Sequence, residues 1–352
     1  YTFKDEPHQP LQNDWNFVGF FDSEYMKDVK PQICEYQVLT KKVVFVDGIT
    51  RVGKSMLCTL LAYLRNVSPP QMINPLEQLL PMYATGHMDR NALSAYVRLL
   101  FNERFYNFSL SREANFRYDD LTSVHNSYRT KELFKNLDKV DGQAIIDEMA
   151  KDTDIFQFMT HDVLTHYSLF KELNIDVKVL ELMRHPVDTV HSWYVRGWGE
   201  RFDNEDPRSG ATLFKFGEKT IPHYALGVEE QYLSLNPVEK CLFMHNRLLE
   251  KSLTNYNQLS VVDKKHILLL KFEDILQQPS QQIEKICLFI DSEPSEYIEK
   301  AFHDARVPRT FDLTTARAEK LKFIKDNVSD SLYTSLVSLS SRYDANFYDL
   351  EN

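Results

Sequence analysis

Lys42-Val-Val-Phe-Val-Asp47 runs directly into Gly48-Ile-Thr-Arg-Val-Gly-Lys-Ser55, and the reading of these fourteen residues decides the architecture. The first segment is a short apolar run ended by an acid and a glycine, the pattern of a strand buried on both faces. Residues 55–65 then place Leu57, Leu60, Leu61 and Leu64 on one helical face. The turn between strand and helix fits GxxxxGK[ST], in the strand-before, helix-after context that gives the pattern meaning. Glycines let successive N–H groups curl inward, and the helix start adds unpaired N–H groups and partial positive charge. Arg51 and Lys54 add full charges, and Ser55 adds a hydroxyl donor. The turn therefore reads as an anion cradle, and the pattern alone does not choose the anion.

Working outward, three further segments read as buried strands: Asp154–Met159, Val177–Met183 and His266–Phe272. A second amphipathic helix is expected over 280–290, with Ile283, Ile286, Cys287 and Ile290 on one face after Pro279. Strand–turn–helix units repeated in this way predict an α/β fold: a doubly wound, mainly parallel sheet flanked by helices, with helical insertions. The expected organisation is a single domain over 1–352. Its units are the loop unit 41–66, a helical insertion 70–150, a unit 154–195, an insertion or lid 196–240 and a strand–helix unit 266–291. Prolines 69, 70, 75 and 81 open the first insertion, and 196–223 is polar and rich in Gly, Pro, Asp and Arg. Insertions at the ends of sheet strands commonly build substrate pockets.

The totals exclude several classes. A formal net charge of -10 argues against nucleic acid as a partner, so cationic chemistry has to be local. Four cysteines, Cys34, Cys58, Cys241 and Cys287, lack any CxxC spacing, which disfavours zinc or a disulfide framework. Cys58 and Cys287 read as buried thiols. No run approaches the ~18 apolar residues of a membrane span. Residues 1–30 do not read as a signal peptide, and numbering opens on Tyr1 rather than Met. The expected location is cytoplasmic, or a soluble lumenal domain if an N-terminal anchor has been removed.

A second anion site is suggested by Leu182-Met-Arg-His-Pro-Val-Asp-Thr-Val-His-Ser192. Arg184 ends a strand, Pro186 suits a first helical turn, and Ser192 follows two turns later. One Arg and one hydroxyl could grip a phosphate from two sides; alternatively, Arg184 pairs with Asp188 as a helix-start ion pair.

Thr50–Ser55 resembles the 5'-phosphosulfate loop of sulfotransferases that use 3'-phosphoadenosine-5'-phosphosulfate (PAPS), a family whose P-loop-like fold is related to nucleotide kinases. Arg184-His-Pro-x-Asp-x-x-x-x-Ser192 is similar to the family's 3'-phosphate motif. Lys271–Pro279 with Leu288-Phe-Ile290 resembles its YEDL…P…FL segment, and Met159-Thr-His161 its Lys-Thr-His segment. The resemblance implies PAPS as donor and adenosine 3',5'-bisphosphate as product, with no metal. It implies cofactor contacts from Arg51, Val52, Gly53, Lys54, Ser55 and Met56 at the 5' side, from Arg184 and Ser192 at the 3' side, and from Phe272 against adenine. Arg51, Lys54 and His161 carry catalysis in this reading, with His161 as general base and His166 and His185 as competitors for that role.

The chain departs from the family pattern at four places. Lys54 replaces a Thr or Ser, Met159 replaces a Lys, and Trp193 stands where Tyr is frequent. The late Arg-Lys-Gly segment is represented at best by Arg306 or Arg309. The expected reaction is sulfuryl transfer to a hydroxyl or amine of a saccharide, peptide, lipid or small alcohol. Tyr83, His87, Arg112, Arg117, Trp193 and Trp198 are possible acceptor-pocket residues. Two rival readings are an ATP-dependent P-loop kinase or NTPase with Asp274 organising magnesium, and a nucleotide-binding domain without catalysis.

Overall fold

The computed structural model describes residues 33–34, 36–39, 42–151, 153–172, 177–202, 211–309 and 313–345. The reading of residues 1–30 lies outside them, as does the 203–210 part of the predicted lid. Residues Tyr36–Asn352 form one compact unit, to which everything below except Cys34 belongs.

The sheet holds β1 (Val43–Asp47), β2 (Gln71–Met72), β3 (Phe156–Met159), β4 (Lys178–Met183) and, after a separate hairpin, β7 (Ile267–Lys271). Their order is β2-β3-β1-β4-β7, and every neighbouring pair is parallel. The four strands expected from sequence are all present. β2 is the addition: two residues behind Pro69-Pro70, too short and too polar to register as an apolar run.

Alternation within β1 explains the two layers, because successive side chains of a strand point to opposite faces. Val44 and Val46 join the core formed with α1 (Lys54–Leu61), while Val43 and Phe45 join the core on the other face. That second core is filled by α2 (Asn74–Ala84) and α3 (Arg90–Ser109), through Leu76, Leu80, Phe101 and Phe105. The first also receives α4 (Pro186–Tyr194), α5 (Pro237–Gln258) and α7 (Pro279–Ile290); between β7 and α7 lies α6 (Phe272–Gln277). Leu57, Leu60 and Leu61 are fully buried, each contributing roughly 1.5–3 kcal/mol of apolar burial. Cys58, Cys241 and Cys287 are buried free thiols, and Cys34 is exposed.

The remaining labelled elements are the antiparallel hairpin of β5 (Leu213–Phe216) and β6 (Lys219–Pro222), and the helices α8 (Ile298–Ala305), α9 (Leu313–Lys325) and α10 (Asp330–Asp344). Because all five sheet strands are parallel, their C-terminal ends share one edge. Gly48, Glu77, His161, Arg184 and Phe272 all follow those ends closely, where an open α/β sheet places its ligand crevice. Among the described residues, no helix is long and apolar enough to cross a membrane.

Candidate active site

The loop after β1 is shaped by two glycines. Gly48 has φ 123, and a Cβ there would lie 2.2 Å from the carbonyl oxygen of Leu182. Gly53 has φ 106, and its Cβ would fall 2.3 Å from the Phe272 ring. Between them Arg51 takes a left-handed backbone, φ 69, a conformation that a non-glycine residue holds only where its surroundings impose it. The first helical bonds, from the Met56 and Leu57 amides to the Gly53 carbonyl, are 3.1 and 3.3 Å. The amides of Lys54 and Ser55 precede them and belong to the unpaired helix start that receives anions.

Lys54 is buried, and its ammonium donates to the carbonyls of Gly48 and of Ile49, the latter at 3.0 Å. Burial lowers its pKa, and the carboxylates of Asp47 and Asp162 oppose that shift. Asp162 itself is raised to about 6 by burial and by Asp47. Burial and Asp47 likewise push Glu181, opposite Asp47 in the sheet, well above the carboxylate range. Lys54 thus braces the loop from beneath. The Val52 side chain is in the core, so Val52 can serve an anion only through its backbone. Ser55 is exposed beside Met159, with Oγ 3.7 Å from the sulfur.

The second motif converges on the first. Arg51 Nε donates to Ser192 Oγ at 3.4 Å, and Arg184 donates to the Arg51 carbonyl at 3.2 Å. Trp193 Nε1 donates to the Thr50 carbonyl at 2.7 Å, tying α4 to the loop. The Arg184 guanidinium lies 5.0 Å from the centre of the Phe272 ring. Asp188, the alternative partner for Arg184, is instead held by Arg317 at 3.0 Å and Lys320 at 2.5 Å. Partial burial and the neighbouring Arg196 and Arg184 lower the Arg51 pKa. Three guanidiniums gathered in a chain of net charge -10 make a site whose mutual repulsion an anion would relieve. Arg196 was missed in the sequence; its signal was its place one turn beyond Ser192.

One cavity of about 950 Å3 is lined by Arg51, Lys54, Arg184, Phe272, His161 and Glu77, among others. Arg306 and Arg309, at the end of α8, line it too. Such a volume is at the upper end of the ~300–1,000 Å3 of small-molecule pockets. Glu77 is the principal addition to the sequence reading. Its Oε1 accepts the His161 backbone N–H at 2.7 Å and lies 3.1 Å from His161 Nδ1, with Oε2 at 3.3 Å. This is the geometry in which a carboxylate orients an imidazole and leaves the other ring nitrogen for chemistry. The competitors are placed differently. His185 Nδ1 caps α4 by accepting from the Val187 amide at 3.3 Å, and burial lowers it to about 4. His166 lines the cavity and is likewise lowered to about 4 by burial.

The family model described as the sulfotransferase domain matches residues 113–331, more than half of the chain. The chain belongs to the sulfotransferase domain family. The matched span includes His161, Arg184, Ser192 and Phe272 and begins after the loop at 48–55. Among solved structures, the chain is similar to the sulfotransferase domain from the curacin biosynthetic pathway: 13% identity, 86% of this chain and 98% of that one covered, TM-score 0.46. It is also similar to the sulfotransferase domain from the Synechococcus PCC 7002 olefin synthase: 14% identity, 86% and 94% covered, TM-score 0.43. A sulfotransferase from Alicyclobacillus acidocaldarius matches at 14% identity, covering 85% and 96%, TM-score 0.34. At such values these structures carry no inference about chemistry. A comparison with curated protein sequences finds no match.

Of the six side chains suggested for the acceptor pocket of this sulfotransferase, Trp193 and Trp198 line the cavity. The other four do not. Tyr83 packs on the core beneath α2 and α3, and the His87 ring lies 5.9 Å from Phe214. Arg112 pairs with Asp141 at 2.5 Å, and Arg117 with Asp120 at 3.4 Å. The reason is that most of the 70–150 insertion builds the second core, while α2 also contributes residues of its first two turns to the cavity. Asp274, suggested for magnesium, is not among the described cavity residues, and its neighbour Glu273 accepts from the His185 amide at 3.1 Å and the Tyr343 hydroxyl at 2.5 Å.

Proposed function

We propose that this sulfotransferase takes its sulfuryl group from PAPS and passes it to a hydroxyl or amine acceptor. The observation that carries the donor is the direct link between two anion sites: Arg51 reaches Ser192, and Arg184 reaches the Arg51 carbonyl, on the wall of one cavity. The residues present fit a nucleotide bearing two separate anionic groups. The amides of Gly53, Lys54 and Ser55 suit its 5' side, and Arg184 with Ser192 suits its 3'-phosphate. Arg196, Arg306 and Arg309 add positive charge nearby, and Phe272, already stacked with Arg184, floors the nucleotide half.

PAPS supplies the sulfuryl group and leaves as adenosine 3',5'-bisphosphate. Catalysis of such an in-line transfer is largely alignment and charge stabilisation. Arg51 stabilises charge growing at the loop, and Lys54 fixes the loop that presents the amides while adding its own field from below. His161 takes the acceptor proton on the ring nitrogen facing away from Glu77, and Glu77 stabilises the resulting imidazolium.

Titration calorimetry tests the donor assignment. Adenosine 3',5'-bisphosphate should bind more tightly than ATP with magnesium, and Arg184→Ala should weaken the bisphosphate about 10–100-fold while leaving ATP nearly unchanged. Equal losses for the two nucleotides would return the site to a general nucleotide loop.

A further inference from the structure

α4, which carries Ser192, has only nine residues, Pro186–Tyr194. A helix of that length does not hold itself in water, so its direction is set by what packs on it. Two C-terminal helices do that packing. α10 places Leu339 and Tyr343 in a small core with Met183, the last residue of β4, and α9 buries Ile324 in the main core. α9 then meets α4 at both ends. Near the C-terminal end the Phe323 ring lies 5.6 Å from that of His191 and 5.1 Å from that of Tyr194, on either side of Ser192 in the chain. In the first turn Asp188 takes two cations of α9. Arg317 donates to Oδ2 from Nη2 at 3.0 Å and from Nε at 3.2 Å, and Lys320 donates to Oδ1 at 2.5 Å.

The same contacts reach the turn that holds Arg184. Arg317 lies 3.7 Å from Glu273 Oε1, and that oxygen accepts the His185 amide at 3.1 Å. Glu273 Oε2 accepts from the Tyr343 hydroxyl of α10 at 2.5 Å. The Asp188 side chain is only 5% exposed, and burial alone would raise its pKa; Lys320 and Arg317 outweigh burial and hold the carboxyl below its ordinary value. The clamp is therefore charged at neutral pH. Asp188, Glu273, Arg317 and Lys320 are not among the described residues lining the cavity. Their route to a bound nucleotide runs through α4 and the Arg184–His185 turn.

We propose that α9 is the positioning element of the 3'-phosphate site: through the Asp188 clamp and the Phe323 ring it fixes α4 so that Ser192 stays within reach of Arg51. Asp188, Arg317, Lys320 and Phe323 are then positioning residues for a donor they do not contact. This inference rests on the PAPS reading and extends it to the C-terminal helices. Each carboxylate oxygen of Asp188 serves its own cation. An amide in its place has a single acceptor oxygen and must release one of them. The charge of the clamp and its geometry act in opposite directions on a bound anion. Removing the carboxylate leaves two uncompensated cations, which attract a phosphate more strongly, while the loosened helix holds it less well. The sign of the change therefore separates positioning from charge.

The test uses the full chain and titration calorimetry with two nucleotides: adenosine 3',5'-bisphosphate, and adenosine 5'-monophosphate, which lacks the 3'-phosphate. Asp188→Asn should weaken the bisphosphate about tenfold, the worth of one charge-assisted contact, and the monophosphate less than about twofold. Phe323→Leu, which changes no charge, should weaken the bisphosphate about threefold and again spare the monophosphate. Tighter bisphosphate binding by Asp188→Asn overturns the proposal, since charge alone would then act. So does unchanged binding, or an equal loss for both nucleotides, which is what a merely structural tie produces. Where Asp188→Asn does not fold, Phe323→Leu decides by the same ratio of affinities. Unsubstituted protein that binds the two nucleotides equally overturns the 3'-phosphate assignment first and this inference with it, so the two failures are distinguishable.

Discussion

Glu77→Gln separates an orienting carboxylate from a bystander. The substitution keeps size and an acceptor oxygen, so the backbone bond to His161, now 2.7 Å, can persist. What it removes is the negative charge 3.1 Å from Nδ1, on a side chain only 10% exposed. A hydrogen bond to a charged group contributes about 1.5–3 kcal/mol and a neutral one about 1 kcal/mol. The charge is therefore worth on the order of 1–2 kcal/mol when the imidazole becomes imidazolium, a loss of roughly 5–30-fold in the transfer step. His161→Ala should cost about 10²–10⁴-fold, the usual contribution of a general base. The assay is single-turnover transfer at saturating donor and acceptor, with bisphosphate affinity measured in parallel as the control for the fold. In the His161→Ala background, Glu77→Gln should cost less than about twofold, because the group it stabilises is gone. An undiminished Glu77→Gln effect in that background would refute the reasoning. A single-variant loss larger than that of His161→Ala would make Glu77 the base itself.

Gly53→Ala places a methyl 2.3 Å from the Phe272 ring at φ 106 and should destabilise the protein by about 1–3 kcal/mol, read from urea unfolding; unchanged stability would mean that the loop is not held as described. The pH dependence is set by buried groups. His166, His185, His223 and His245 are lowered by burial from 6.5 to about 4, so each stays neutral in the fold and takes up a proton on unfolding between those values. Asp162, raised by burial from 3.8 to about 6, and Glu181, raised further from 4.5, act in the opposite sense. Four protons against two leave a net uptake of about two on unfolding, so stability should fall as pH drops from 6 to 4.5, by about 2.7 kcal/mol per unit. Equal or greater stability at pH 5 than at pH 6.5 would contradict these placements.

The cofactor half of the fold is legible in the chain because its signals are local. Val43–Asp47 is an unbroken buried run, Gly48 and Gly53 sit where only glycine fits, and Ser192 lies on the helix that Arg184 precedes. What escaped depends on distance in sequence. Glu77 and His161 are 84 residues apart, and nothing near either names the other. Pro75 in the first turn of α2, with Glu77 after it, was the available signal, but it stood among the four prolines that open the helical insertion, with nothing to single it out. β2 is set by its pairing with Met159 rather than by any apolar run. The hairpin at 213–222 turns at Gly217, φ 60, inside a stretch whose composition suggested only a polar insertion. Lys54 matched the phosphate-loop pattern, yet only the three-dimensional neighbourhood of Asp47, Asp162 and Glu181 turns its ammonium beneath the loop.

A crystal structure of the protein soaked with adenosine 3',5'-bisphosphate tests the central claim most directly. The account predicts the 5'-phosphate on the amides of residues 53–55 and the 3'-phosphate between Arg184 and Ser192, with the Arg51–Ser192 contact of 3.4 Å opened to admit it. A ligand bound away from both sites, or a 3'-phosphate left in solvent, would contradict it.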